Sequence, residues 1–199
     1  MNLANKLTIF RIILVPVMII VTFFNIPGEF LGIPTTAWIL NIIFIIASIT
    51  DKLDGYIARS RNQITTFGKF LDPIADKILV ITAMIILVEM GKVPAWIPTI
   101  IVFREFIVSG YRLVAVEKGG KVIAASIWGK LKTVTQMIAI ILAFIDNNSF
   151  GTIFTETLTN GYEITINILT TLMMIICVIA TIFSGIDYLK GGKELLKDK

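Results

Sequence analysis

The chain has 199 residues, of which 56% are hydrophobic and only 16% are charged, and this composition predicts an integral membrane protein and not a soluble domain. It contains one cysteine and no histidine, which excludes Ser-His and Cys-His nucleophiles and His-ligated zinc or haem within the chain. Acid, base and metal chemistry is left to carboxylates, lysines and tyrosines.

Six apolar runs predict an all-α protein with six transmembrane helices, because each run approaches the roughly 20 residues that a helix needs to cross a bilayer. In chain order the runs cover residues 7–24, 36–58, 68–89, 94–113, 131–147 and 164–188. The whole chain, 1–199, is predicted to be a single domain. The first run is not followed by a small-residue cleavage site, so we interpret it as a span and not as a signal peptide.

The basic residues predict the orientation of the helices. With six spans, all 18 Lys and Arg except Lys92 lie on one side of the membrane, and short basic loops stay in the cytoplasm. Both termini are therefore predicted to be cytoplasmic, in a multi-pass protein of a bacterial cytoplasmic membrane. The net charge of +4 reflects this topology and attraction to anionic membrane lipids, and no motif indicates nucleic-acid binding.

The segment DKLDGYIARSRNQITTFGKFLDPIADK joins the second and third spans at the cytoplasmic side. Asp51 and Asp54, at i and i+3, share one face of a helix, and Asp72 and Asp76, at i and i+4, share another. Two adjacent antiparallel helices would direct all four carboxylates to one place. Pro73 is predicted near the start of the third helix, where its missing N–H costs nothing.

Four carboxylates this close together repel one another unless a cation lies among them. An all-oxygen ligand set suits Mg²⁺ or Mn²⁺, and such ions bind phosphate or pyrophosphate substrates. The alternative is that the aspartates are interfacial charges paired with basic residues at the helix ends. Ionisable residues at membrane depth are costly and usually functional, which favours the metal site.

One pattern of eight fixed positions resembles the signature of the CDP-alcohol phosphotransferase family: Asp51-x2-Asp54-Gly55-x2-Ala58-Arg59, eight residues, then Gly68-x3-Asp72-x3-Asp76. The resemblance implies an enzyme that transfers a phosphatidyl group from CDP-diacylglycerol to an alcohol and releases CMP. It also implies a homodimer, which is common in the family.

The resemblance assigns roles to these positions. It implies that Asp51, Asp54 and Asp72 bind metal and that Asp76 binds metal or acts as the base. The pocket for the CDP group is implied at four further positions, Gly55, Ala58, Arg59 and Gly68. Asp76 is the predicted general base because it is the aspartate deepest from the loop, and a carboxylate can take the proton of the acceptor hydroxyl.

The acceptor is predicted from two further cytoplasmic segments, REFIVSGYRLVAVEKGG (104–120) and GKLKTVTQM (129–137). Their basic residues suit a phosphorylated alcohol, and we predict that Arg112, Lys130 and Lys132 bind its phosphate. Positive-inside topology alone is the alternative explanation of these charges.

Smaller patterns add detail to this side of the protein. Arg104 and Glu105 interrupt an apolar run, so they should pair or face the bundle interior. Arg112 lies two turns beyond Arg104 on nearly the same face, and Lys132 shares a face of the fifth span with Gln136. The tail DYLKGGKELLKDK (187–199) predicts a short amphipathic end anchored at lipid headgroups.

Together with NLANKLTIFRIILVP (2–16), the two basic segments resemble the branch of the family that uses glycerol 3-phosphate, which that resemblance implies as the acceptor. Asn5, Thr8 and Arg11 recur every three residues and either edge the site or form an interfacial cap and anchor.

Two alternative interpretations of the function stay open. One is the same reaction with inositol phosphate, serine or a phospholipid as acceptor. The other is a divalent-cation transporter, which is disfavoured because no acidic residue interrupts the outer half of a long apolar run.

Overall fold

The computed structural model describes residues 3–24, 26–60, 66–117 and 126–191. Within these ranges the chain forms six long helices, one short helix and a two-stranded hairpin. The helices are α1 Leu3–Phe24, α2 Thr35–Ser60, α3 Thr66–Glu89, α4 Trp96–Glu117, α5 Ile127–Ile145, α6 Thr152–Thr155 and α7 Gly161–Gly191. The hairpin pairs β1 Glu29–Phe30 with β2 Ile33–Pro34 in antiparallel register.

Three of the described helices are long and apolar enough to cross a membrane, over Asn5–Phe24, Ile127–Ile145 and Gly161–Lys190, and Thr35–Asp51 is a shorter apolar helix. The chain is therefore an all-α, multi-pass membrane protein. Helices α3 and α4 are interrupted by charged residues such as Asp76 and Arg104, which lower their mean hydropathy.

The helices pack in two groups that meet around α2. Helix α1 lies against α2 and α3, while α5 lies along α7, which also contacts α4; α2 contacts α5. Phe44 of α2 and Phe144 of α5 are fully buried, and their ring centroids lie 6.5 Å apart. Large apolar side chains on the outer surface, such as Phe106 at 70% exposure, are left to the lipid.

Pro73 lies inside α3, which begins at Thr66, so the prediction that this proline stands near the helix start is wrong. The residues before it continue the helix for about two turns towards the loop. Proline within a helix removes one i→i−4 backbone hydrogen bond, which here is the bond from position 73 to the carbonyl oxygen of residue 69.

A buried polar cluster ties the α3–α4 turn to the segment after α5 and to α7. Lys92 donates its ammonium to the carbonyl oxygen of Asp146. The Asn167 amide donates to Oδ2 of Asp146 and to the carbonyl oxygen of Ser149, both at 2.9 Å, and accepts from the N–H of Ile153 at 2.9 Å. Burial raises the pKa of the Asp146 carboxyl and lowers the pKa of the Lys92 ammonium.

Substitution of Asn167 by Ala should lower the free energy of unfolding by about 1–3 kcal/mol, because Asn167 is fully buried and its partners lose their hydrogen bonds. Asn160→Ala is the matched control, since Asn160 is exposed and its side-chain amide bonds only Glu163 among the described residues. Thermal unfolding in detergent measures the difference. Equal melting temperatures for the two variants would contradict a stabilising role for the cluster.

Candidate active site

Helix α1 reaches the aspartates of α2 and α3 through two polar side chains. Thr8 donates its hydroxyl to Oδ1 of Asp72 at 2.8 Å. Nη1 of Arg11 lies 2.8 Å from Oδ1 of Asp51, and the Arg11 side chain is fully buried. Helix α1 thus contacts one aspartate of each of the other two helices, Asp72 through Thr8 and Asp51 through Arg11. The N-terminal pattern was predicted either to edge the site or to form an interfacial cap and anchor, and the structure places Thr8 and Arg11 beside two aspartates of the predicted site.

Asp76 lies one turn beyond Asp72 on α3 and is the aspartate closest to the rest of the site. Its carboxyl interacts electrostatically with Asp51 and Arg11 and also with Lys132 and Glu105. Asp51 of α2 and Asp76 of α3 therefore come within electrostatic reach of each other, and the meeting of all four aspartates stays a prediction, because the Asp54 side chain lies outside the described part of the structure.

Part of the signature lies outside the described side chains. The backbone of α2 is helical through Asp54, Gly55, Ala58 and Arg59, but their side chains are outside the described part of the structure. Gly68 is buried near the start of α3. Among the side chains that are described, no group of three acidic residues forms a metal site. The predicted ligand set also includes Asp54, whose side chain lies outside that part of the structure.

A cavity of about 250 Å³ opens beside Asp76, between α3, α4, α5 and α7. Its polar lining consists of Asp76, Lys77, Arg104, Glu105, Arg112, Lys132, Thr133, Gln136 and Tyr188. The volume suits a small polar molecule, and the lining combines one candidate base with several cations. Lys132 and Gln136 are both buried and both line the cavity, as predicted from their shared helix face.

Glu105 organises two of the cations. Its Oε1 accepts from Nζ of Lys132 at 2.6 Å and from Nη1 of Arg104 at 3.0 Å. Arg104 also donates to the hydroxyl of Ser184 on α7. The predicted pairing of Arg104 with Glu105 is confirmed, and both face the bundle interior. Glu105 was not among the predicted site residues. The signal that could have identified it is its charge in the middle of an apolar run.

Arg112 and Tyr188 form the far wall of the cavity. Nη2 of Arg112 donates to the Tyr188 hydroxyl at 2.7 Å, and the guanidinium carbon lies 5.5 Å from the ring centroid. Arg104 lies 5.6 Å from the same centroid, so the predicted common face of Arg104 and Arg112 is confirmed. Lys130 is exposed and is not one of the residues that line the cavity.

The position of Tyr188 corrects the interpretation of the tail. The sequence predicts an amphipathic end from Asp187 onward, whereas α7 continues to Gly191 and carries Tyr188 into the bundle, where it is 2% exposed. Residues 192–199 of the predicted end lie outside the described part of the chain. The helical spacing from buried Thr181 and Ser184 to Tyr188, i to i+3 to i+7, was the signal that places all three on one inward face.

Comparison with known proteins gives consistent matches. The family described as CDP-alcohol phosphatidyltransferase matches residues 1–183. The chain is 40% identical to the CDP-diacylglycerol–glycerol-3-phosphate 3-phosphatidyltransferase of Bacillus subtilis, over 98% of this chain and 97% of that one. It is 39% identical to the protein of the same name from Haemophilus influenzae, over 99% and 96%. A probable phosphatidylglycerophosphate synthase of Mycobacterium tuberculosis is 36% identical, over 94% and 79%.

Proposed function

Because this chain belongs to the CDP-alcohol phosphatidyltransferase family, we propose that it transfers the phosphatidyl group of CDP-diacylglycerol to glycerol 3-phosphate. The products are phosphatidylglycerophosphate, an intermediate of phosphatidylglycerol synthesis, and CMP. The observation that carries this proposal is the position of Asp76, which lines a cavity rich in cationic side chains and interacts electrostatically with Asp51 of α2. The names of the full-length relatives agree with both substrates.

The reaction uses Asp76 as its base. The acceptor hydroxyl attacks the phosphorus of the phosphatidyl group, the bond from that phosphorus to the CMP oxygen breaks, and the hydroxyl proton passes to the Asp76 carboxylate. A carboxylate within reach of the hydroxyl is sufficient for this proton transfer. Since Asp76 lines the cavity, a small alcohol bound there would have its hydroxyl beside this group.

The donor set fits a hard divalent cation, Mg²⁺ or Mn²⁺, because it consists of carboxylates alone. Asp51, Asp54, Asp72 and Asp76 would hold the ion, with Asp72 oriented by Thr8 and Asp51 by Arg11. When bound, the ion would stabilise negative charge on the diphosphate and on the leaving CMP. The CDP part of the lipid would lie against Gly55, Ala58, Arg59 and Gly68.

The acceptor phosphate would bind Arg112 and Lys132, which both line the cavity. Lys130 is exposed and is not among the residues that line the cavity. It would add to the positive potential near the cavity and would not contact the acceptor phosphate. Arg104 supports the site by holding Glu105 and Ser184.

The proposed topology has six spans, with α3 and α4 crossing the membrane despite their charged residues and with both termini in the cytoplasm. The location is the cytoplasmic membrane of a bacterium, where anionic lipids face the basic side. Assembly as a homodimer, which the family resemblance implies, stays a prediction.

An acceptor competition assay tests the proposed reaction. Purified protein with Mg²⁺ or Mn²⁺ should release CMP from CDP-diacylglycerol only when glycerol 3-phosphate is present, and EDTA should stop the release. Equal release with inositol, inositol phosphate or serine would overturn the choice of acceptor. Absence of CMP with every acceptor would overturn the reaction itself.

A further inference from the structure

We propose that Tyr188 is a positioning residue that holds the Arg112 guanidinium in place for the phosphate of the acceptor. This inference rests on the proposed function, because it concerns the residue that fixes the affinity of the same site for glycerol 3-phosphate. Neither the family signature nor the basic segments include Tyr188, which lies 76 residues from Arg112 in the chain.

The cations of the cavity differ in the partners that they already have. Lys132 and Arg104 share the carboxylate of Glu105, and Lys77 donates to the hydroxyl of Ser109. These bonds partly neutralise or restrain the three side chains before any ligand binds.

Arg112 has a neutral partner. Within the described part of the chain its hydrogen bond goes to the Tyr188 hydroxyl, and no carboxylate there forms an ion pair with it. The positive charge of Arg112 is therefore retained for an anion. Its side chain is exposed whereas Tyr188 is buried, so the tyrosine supports the guanidinium from the protein side and leaves the other side accessible.

Tyr188 restrains Arg112 in two ways. The hydroxyl accepts one N–H at 2.7 Å, and the ring lies 5.5 Å from the guanidinium carbon, within the range of a cation–π contact. Arg104 lies 5.6 Å from the same ring, so the ring attracts two guanidiniums that would otherwise repel each other. A guanidinium is a planar fork of donors, and a fixed fork can give its remaining N–H groups to two oxygens of a phosphate.

Replacement of Tyr188 by Phe tests the role of the hydroxyl while the ring stays in the bundle. The KM for glycerol 3-phosphate should rise about tenfold, as expected for loss of a hydrogen bond to a charged group. The KM for CDP-diacylglycerol and the melting temperature should stay close to the wild-type values. Tyr162→Phe, the same change at an exposed tyrosine near the start of α7, is the matched control and should leave both KM values unchanged.

A double-substitution cycle shows whether Tyr188 acts through Arg112. Arg112→Ala alone should raise the KM for glycerol 3-phosphate, and adding Tyr188→Phe should raise it no further. A further tenfold increase in the double variant would overturn the inference, as would an unchanged KM in Tyr188→Phe when the wild type uses glycerol 3-phosphate. A wild-type protein that releases CMP with another acceptor only would overturn the proposed function as well, so the two failures are distinguishable.

Discussion

Substitution of Asp76 by Asn should lower kcat for CMP release by about 10²–10⁴-fold, the usual contribution of a general base. Asparagine has nearly the same shape as aspartate but cannot accept the proton of the acceptor hydroxyl. Asp187→Asn is the matched control, because Asp187 is exposed on α7 and is not among the cavity-lining residues. CMP release at saturating substrate concentrations measures both variants, and the Asp187 variant should match the wild type.

Binding of the CDP-lipid separates the two roles that Asp76 has in the proposed site. With Asp76 as the base, the Asp76→Asn protein should still bind CDP-diacylglycerol with near wild-type affinity and should stay inactive at every Mg²⁺ concentration. Recovery of turnover at high Mg²⁺ would identify Asp76 as a metal ligand and not as the base. Full activity of Asp76→Asn at ordinary Mg²⁺ would remove it from both roles.

Substitution of Arg11 by Met should destabilise the protein by about 2–3 kcal/mol and abolish turnover. Removing one partner of a buried ion pair leaves an uncompensated charge and costs about 3–5 kcal/mol when both partners are buried. Arg11 is fully buried, but the Asp51 side chain is 35% exposed, so water lessens the loss. Thermal unfolding in detergent measures the change. Lys6→Met, at an exposed position of α1, is the control and should change stability by less than about 0.5 kcal/mol.

The variant Arg11→Met/Asp51→Asn distinguishes charge pairing from a change in helix packing. Neutral asparagine removes the unpaired carboxylate, so the double variant should be more stable than Arg11→Met alone. It should stay inactive, because a predicted metal ligand is lost with the charge. A double variant less stable than Arg11→Met would show that the ion pair is not the source of the loss.

The hydrophobic periodicity of the sequence predicts the features that depend on the geometry of a single helix. It identifies the six long helices and the shared face of Arg104 and Arg112, because these depend on local helical geometry. It also predicts the meeting of Asp51 with Asp76, since two successive helices joined by a short loop lie side by side. Pro73 is the local feature that the sequence pattern placed wrongly. The residues before it continue α3, so the proline lies inside the helix and not near its start.

Contacts between distant helices were not predictable in the same way. The pairing of Arg11 with Asp51 and that of Arg112 with Tyr188 depend on which helices are neighbours and on their rotation. The apolar positions of a membrane helix do not identify its neighbour, because lipid and protein surroundings are similarly apolar. In the sequence Arg11 carried an ambiguous signal, and the helical spacing that places Tyr188 on an inward face did not identify Arg112 as its partner.

The division of the site between helix groups has a consequence for biosynthesis. In the proposed site the aspartates belong to α2 and α3 and contact α1, which the ribosome makes first, whereas the proposed acceptor half consists of Arg112 of α4, Lys132 of α5 and Tyr188 of α7. Chain synthesis proceeds from the amino end, and early segments fold before later ones appear. With this proposed site, the nascent chain would complete the helices of its donor half before those of its acceptor half, and catalytic competence would arise only when the last helix enters the membrane.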